Sequence, residues 1–258
     1  MSEQLKNKNV FITGASSGIG KACALAFARE GSNLLLAARR KERIDTLARD
    51  LEKTYGIMTH GIQLDVRNHD EVAAAIGSLP PAWDHIDILL NNAGLSRGLT
   101  NLQEGEIRDW EEMIDTNVKG LLYVTRAVLP AMVRRNSGHV INMGSIAGHE
   151  LYPNGNVYCA SKYAVAAISQ GLRMDLLGTN VRVSSVDPGL VETEFSEVRF
   201  RGDVQRAAQT YAKMRPLQGE DIAEIVIFCA TRPLHVDIAQ VTVMSTDQAS
   251  VNHVHRSP

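Results

Sequence analysis

Residues 9–31, NVFITGASSGIGKACALAFAREG, decide how the rest of the chain is read. The short apolar run NVFIT ends in TGASSGIG, and the Ala-rich stretch that follows, Lys21 to Glu30, has helical character and stops at Gly31. Strand, glycine loop and helix follow one another without a spacer. Gly14, Gly18 and Gly20 let the backbone turn tightly and approach a pyrophosphate, whose charge a helix N-terminus favours. The spacing is G-x-x-x-G-x-G, not the G-x-G-x-x-G of the common dinucleotide fingerprint. Such a loop alone is compatible with simple turn-making; its place between a first strand and a first helix points to a dinucleotide.

Outward from this unit the pattern repeats. Residues 33–38, NLLLAA, read as a fully buried second strand, followed at once by Arg39 and Arg40. An acidic residue here would bind the ribose hydroxyl of NAD, whereas a basic one accommodates the 2′-phosphate of NADP. Ala38 stands where the acid is expected, so Arg39 is assigned to the phosphate. Arg40 either shares that role or opens a charged, solvated helix over 41–53. Residues 60–64 form a third strand closed by Asp65 and Val66, with Asp65 placed to reach the adenine edge. A short helix spans 68–78, and a fourth strand over 86–90 runs into Asn91, Asn92, Ala93 and Gly94. Strands alternating with helices imply an α/β fold with a parallel sheet doubly wound by helices on both faces, and ligands outside the carboxyl ends of the strands.

The composition limits the function classes. At 258 residues, with 44% hydrophobic and 22% charged residues, the chain is expected to form one soluble globular domain over 1–258. A net charge of −2 gives no bulk electrostatic case for nucleic acid or an anionic membrane. No apolar run approaches the ~20 residues of a membrane span, and the N-terminus has no apolar signal region. Cys23, Cys159 and Cys229 are too scattered for a disulfide framework or a metal site and fit a reducing cytoplasm. His253 and His255 have no neighbouring cysteine or carboxylate, so no metal is expected and the tail 248–258 reads as polar and solvated.

Chemistry concentrates in NVYCASKYAVAAISQGLRM, residues 156–174. On a helix, Tyr158 and Lys162 share one face about a turn apart. An ammonium beside a phenol favours the phenolate, so a tyrosine that otherwise loses its proton near pH ~10 becomes a candidate acid or base near neutrality. Residues 107–133 are mostly helical, with Pro130 as a kink or a break between helices, and Asn117 within them needs a hydrogen-bonding or functional reason. A fifth strand over 139–143 leads to Gly144 and Ser145, and a sixth over 181–186 leads to Asp187, Pro188 and Gly189. The long connection at about 190–215 is a candidate substrate lid. A last helix covers 219–230 and a last strand 240–244.

Taken in order, TGASSGIG, Asp65, NNAG at 91–94, Asn117, Ser145, Tyr158, Lys162, and Pro188-Gly189 with Thr193 resemble the short-chain dehydrogenase/reductase superfamily. The resemblance implies a Rossmann-type domain. In it Tyr158 exchanges a proton with the substrate oxygen, Ser145 hydrogen-bonds that oxygen, Lys162 binds the nicotinamide ribose, and Asn117 holds a water that links Lys162 to solvent. The cofactor set it implies comprises Gly14, Ser16, Ser17, Gly18, Ile19, Gly20, Arg39, Arg40, Asp65, Val66, Asn92, Ala93, Gly94, Tyr158, Lys162, Pro188, Gly189, Val191 and Thr193. DWEEMIDTNVKGLLYVTRAVLPAMV, PGLVETEFSEVRFRGD and the ending HVDIAQVTVM with NHVHR further resemble NADP-dependent 3-hydroxy acid dehydrogenases, which act on serine, L-allo-threonine and related acids or semialdehydes. One departure, VETEFS without the glycine pair often found there, bears on the lid's conformation and not on the chemistry.

A 3-hydroxy acid needs its carboxylate held, and Arg97, Arg199 and Arg201 are the candidate forks. The resemblance also implies a homotetramer, for which the apolar faces of 107–133 and 156–174 are the candidate interface. The alternatives are an NADPH-dependent carbonyl reductase for ketones or aldehydes without a carboxylate, and a non-catalytic NADP(H)-sensing binding protein. The intact set of Asn117, Ser145, Tyr158 and Lys162 argues against the second.

Overall fold

The computed structural model describes residues 4–257. Seven strands form one sheet: β1 Asn9–Thr13, β2 Asn33–Ala38, β3 Thr59–Gln63, β4 Ile88–Asn91, β5 Gly138–Met143, β6 Val181–Pro188 and β7 Gln240–Val243. Their order is β3-β2-β1-β4-β5-β6-β7, with every neighbouring pair parallel. The chain builds outward from β1 to β3, then returns to place β4 on the other side of β1. That reversal opens a crevice at the carboxyl ends of β1 and β4.

The central strands are buried on both faces, which explains why they read as unbroken apolar runs. Val10 and Ile12 pack with Leu34, Leu36, Leu90 and helices α1 Gly18–Arg29, α2 Lys41–Tyr55 and α9 Gly219–Ala230. Phe11, one residue away, points to the other face, where Leu35, Leu89, Val140 and Val183 meet α3 His69–Gly77, α5 Leu121–Arg135 and Leu172 of α6 Asn156–Asp175. This is a doubly wound, Rossmann-like α/β fold.

The mostly helical segment 107–133 is divided, though not at Pro130. Helix α4 Ile107–Ile114 passes into a π-helical turn, Asp115–Gly120, before α5, and Pro130 lies inside α5. Asn117 sits in the π turn and makes two hydrogen bonds with the Leu95 backbone: its Oδ1 accepts from the amide at 2.9 Å, and its Nδ2 donates to the carbonyl at 2.8 Å. These bonds tie the widened turn to the loop after β4. The connection after β6 holds two short helices, α7 Phe195–Arg199 and α8 Val204–Tyr211. Among the described residues no helix is long and apolar enough to cross a membrane.

Candidate active site

The loops at the carboxyl ends of β1, β2, β4, β5 and β6 line one cavity of about 620 Å³, within the ~300–1,000 Å³ usual for small-molecule sites. Its first wall is the glycine loop. Gly14 and Gly18 have φ of 66° and 51°, a left-handed region that favours glycine. A Cβ on Gly14 would lie 2.9 Å from the Ala93 Cα, and one on Gly20 would lie 2.4 Å from the Gly14 oxygen. Asn92 completes the clamp by donating from Nδ2 to the Thr13 and Gly14 carbonyls, while Thr13 Oγ1 accepts from the Asn92 and Ala93 amides. Ser16, Ser17 and Ile19 face the cavity, and Gly20 is buried beneath the loop. This cradle, at the start of α1, fits a pyrophosphate.

Arg39 and Arg40 both line the cavity but differ in their bonds. Arg39 is exposed, and its guanidinium has no hydrogen-bond partner among the described residues. Arg40 donates to Ser17 Oγ at 2.7 Å, to Ser16 Oγ at 3.0 and 3.2 Å, and to Glu194 at 2.7 Å. Asp65 receives a two-pronged pair from Arg67, which holds its carboxyl below the usual carboxylate range. Asp65, Val66, Ala93, Gly94, Pro188, Gly189, Val191 and Thr193 continue the same wall.

Helix α6 brings Tyr158 and Lys162 to the cavity, with Lys162 Nζ 5.9 Å from the Tyr158 ring centre. Lys162 donates to the Met143 carbonyl at 2.9 Å. A Cβ on Gly94 would lie 3.3 Å from Asn117 Oδ1 and 3.7 Å from Lys162 Nζ, so both side chains approach the chain closely at this glycine. Asn117 stands behind Gly94, outside the cavity wall. Ser145 Oγ accepts from the Ala147 amide at 3.1 Å and donates to the Pro188 carbonyl across a long 3.5 Å.

Burial dominates the electrostatics. It lowers Lys162 from 10.5 to about 8, an effect partly offset by the Asp187 carboxylate. It raises the Tyr158 phenol well above its ordinary value, with the nearby Tyr152 adding to the rise, while Arg199 and a hydrogen bond with Ser145 pull it back. The lowering of the phenol by Lys162 that the helix spacing suggests is not among the influences acting on it here. The ammonium donates to the Met143 carbonyl, and Lys162 and Arg199 lie over the phenol ring at 5.9 and 5.4 Å.

The three candidate arginines separate cleanly. Arg199 is 9% exposed, lines the cavity, and sits over the Phe195, Tyr158 and Tyr152 rings at 5.2, 5.4 and 5.9 Å. It donates to the Tyr152 hydroxyl at 3.0 Å, and its buried Nε has no partner. Arg97 is spent on Glu112, at 2.5 Å, and on the Val198 carbonyl; Arg201 is spent on Asp109. Neither Arg97 nor Arg201 lines the cavity.

Several lining residues carried no signal in the sequence. The tail is polar and its two histidines are exposed, but it is not free in solvent: Gln248, Val251, Val254 and Arg256 border the cavity. Gln248 Oε1 accepts from the Leu190 amide at 2.8 Å, and Arg256 bonds the Thr210 and Ala212 carbonyls of the connection after β6. Tyr211 bonds Ser196 at 2.8 Å and the Val191 carbonyl at 2.9 Å.

A doubly wound sheet with a glycine cradle at its switch point and a buried tyrosine–lysine pair opposite defines a nucleotide-dependent oxidoreductase site. Residues 8–203 match the model of the short chain dehydrogenase family, and the chain belongs to that family. Over 254 residues it is 44% identical to an NADP-dependent 3-hydroxy acid dehydrogenase of Schizosaccharomyces pombe, covering 98% of both chains. Over 250 residues it is 48% identical to an NADP-dependent 3-hydroxy acid dehydrogenase of Salmonella typhi, covering 96% of this chain and 99% of the relative. A serine dehydrogenase solved in a closed form with NADP+ superposes with a TM-score of 0.90 at 45% identity, covering 96% of this chain and all of that one.

Proposed function

We propose that the protein is an NADP-dependent oxidoreductase that interconverts a small 3-hydroxy acid, of the serine, L-allo-threonine, 3-hydroxypropionate or 3-hydroxyisobutyrate type, with the matching 3-oxo acid or semialdehyde. The observation that carries the reading is Arg199. A buried guanidinium with an unpartnered Nε, beside the phenol that would meet the reacting oxygen, suits a carboxylate separated from the carbinol by one intervening carbon. The names of the similar enzymes support the same substrate class.

When bound, NADP(H) supplies the hydride chemistry at its nicotinamide ring. The chain's own residues do the rest. Arg39 and Arg40 hold the 2′-phosphate, Asp65 and Val66 border the adenine, and the glycine loop holds the pyrophosphate. Lys162 binds the ribose beside the nicotinamide, with Asn117 behind it. In reduction the Tyr158 hydroxyl gives its proton to the oxygen as charge develops there, and the Ser145 hydroxyl donates a hydrogen bond to the same oxygen. In oxidation the same two groups work in reverse. Burial favours the protonated phenol, the form that donates in reduction, while oxidation needs the phenolate, which Arg199 and the Ser145 hydrogen bond favour.

The test is NADP⁺ reduction with the four hydroxy acids, neutral alcohols and NAD⁺ controls, using wild type and Arg199→Ala. We expect turnover of the acids with NADP⁺, and a loss of roughly 100-fold or more in kcat/KM confined to acids, in line with removing a charged hydrogen bond of about 3 kcal/mol. Equal losses on acids and neutral substrates would instead support a carbonyl reductase without a carboxylate pocket. The same reading includes a homotetramer in the cytoplasm, where three buried free thiols stay reduced.

A further inference from the structure

Glu194 is the residue at which the lid meets the cofactor half of the cleft. Its Oε2 accepts from Arg40 Nη1 at 2.7 Å, and its Oε1 accepts from Arg43 Nη1 at 2.7 Å. The other edge of the Arg40 guanidinium holds the Ser16 and Ser17 hydroxyls of the glycine loop. A group that lines the cavity where the 2′-phosphate belongs is thus already holding an anion. Burial would raise the Glu194 carboxyl, yet the hydrogen bonds from Arg40 and Arg43 hold it below the usual range, so the anion is fully formed near neutral pH.

Glu194 also caps the lid. Its carbonyl accepts from the Val198 amide at 2.9 Å, in the single turn of α7 that ends in Arg199. One turn of helix therefore joins the Arg40 contact to the guanidinium over Tyr158.

We infer that Glu194 stands in for the cofactor's 2′-phosphate: NADP(H), unlike NAD(H), must displace it from Arg40, and the displacement releases the start of the lid helix. The inference rests on the NADP reading above and deepens it. Two anions cannot share one guanidinium edge, and a phosphate dianion with several acceptor oxygens replaces a carboxylate with two. The competition lowers the apparent affinity for the phosphate by the fraction of molecules in which Arg40 is occupied. Both ion pairs are partly exposed, with Glu194 at 37%, so the effect is about 3- to 10-fold.

The probes are 2′,5′-ADP and 5′-AMP, which differ by the 2′-phosphate alone, titrated calorimetrically into wild type and Glu194→Gln. The expected result is that Glu194→Gln binds 2′,5′-ADP about 3- to 10-fold more tightly with 5′-AMP unchanged, the gain shrinking at high salt. In wild type, 2′,5′-ADP and not 5′-AMP raises hydrogen exchange at the amides of Phe195–Arg199. Unchanged or weaker binding of 2′,5′-ADP, or an equal gain for both probes, overturns the competition, and unaltered exchange overturns the release of the lid. A wild type that does not prefer 2′,5′-ADP to 5′-AMP overturns the assignment of the phosphate to Arg39 and Arg40, a failure read from the wild type alone. The Arg199 experiment does not depend on any of these results.

Discussion

The Lys162 ammonium lies buried on α6 with the Met143 carbonyl as its acceptor, and the fold carries a cost for it. Burial moves the group from 10.5 to about 8, which at about 1.4 kcal/mol per pH unit makes the charge cost the folded state about 3 kcal/mol. The cost is largest below pH 8, where the lysine is charged both folded and unfolded. It fades as pH rises from about 8 toward 10.5, because the folded lysine is then neutral while the unfolded one still binds its proton. Lys162→Met, similar in volume and apolar, is expected to raise unfolding stability by about 1–3 kcal/mol at pH 7, measured in urea, with a smaller gain at pH 10. Turnover should be lost in the same variant. If Lys162→Met is instead less stable at pH 7, the Asp187 carboxylate and the Met143 carbonyl compensate the charge more fully than its depressed titration indicates. Asp187 is itself only 1% exposed and accepts from Ser185, His149 and Gln240, so it is held in place as a fixed anion near the lysine.

At the scale of elements, the middle of the lid is tied to the loop after β4 and to α4. The Arg199 carbonyl accepts from the Gly98 amide at 3.0 Å, the Val198 carbonyl accepts from Arg97, and Arg201 pairs with Asp109 of α4. Together these ties fix the turn that aims Arg199 at the cavity. Asp109→Asn keeps the shape and weakens the pair, so kcat/KM for an acid substrate should fall about 3- to 10-fold, mainly through KM. A fall in kcat alone would mean that the pair serves the chemistry and not the positioning. This geometry also explains what the sequence could and could not convey. Gly14, Asn92, Ser145, Tyr158 and Lys162 were legible because each obeys a local rule: a positive φ, a strand end, or two residues on one helix face. Arg97 and Arg201 were credited with facing substrate because nothing local reveals a partner, and Glu194 lies 154 residues from Arg40. The π turn at Asp115–Gly120 was hidden for a similar reason, since the Leu95 backbone that holds it open lies 22 residues from Asn117. The wrapping of the tail past Gln248 depends on the Leu190 amide, equally remote in sequence.

The whole molecule leaves apolar surface where a single copy has no use for it. The sheet accounts for the inward faces of the two long helices: Val124, Val128 and Met132 of α5 and Val165 of α6 are buried. It does not account for Leu122 and Val133 of α5, or for Tyr163 and Met174 of α6, which are 41–66% exposed. Isolated exposed apolar residues are ordinary, but here they recur on the two helices whose other faces carry the active-site pair and the sheet core. Covering them with a second copy removes apolar area from water at about 25 cal/mol per Å² and braces α6, and with it Tyr158 and Lys162, from behind. Under the proposed homotetramer, light scattering after size exclusion is expected to give a mass four times that of the 28.2 kDa chain. Leu122→Asp with Val133→Asp, which places two charges in that contact, should lower the mass and reduce turnover together, because an unpaired buried carboxylate costs several kcal/mol. A wild-type mass equal to one chain would remove the interface, and turnover undiminished in a dissociated variant would mean that α6 needs no bracing beyond its own sheet.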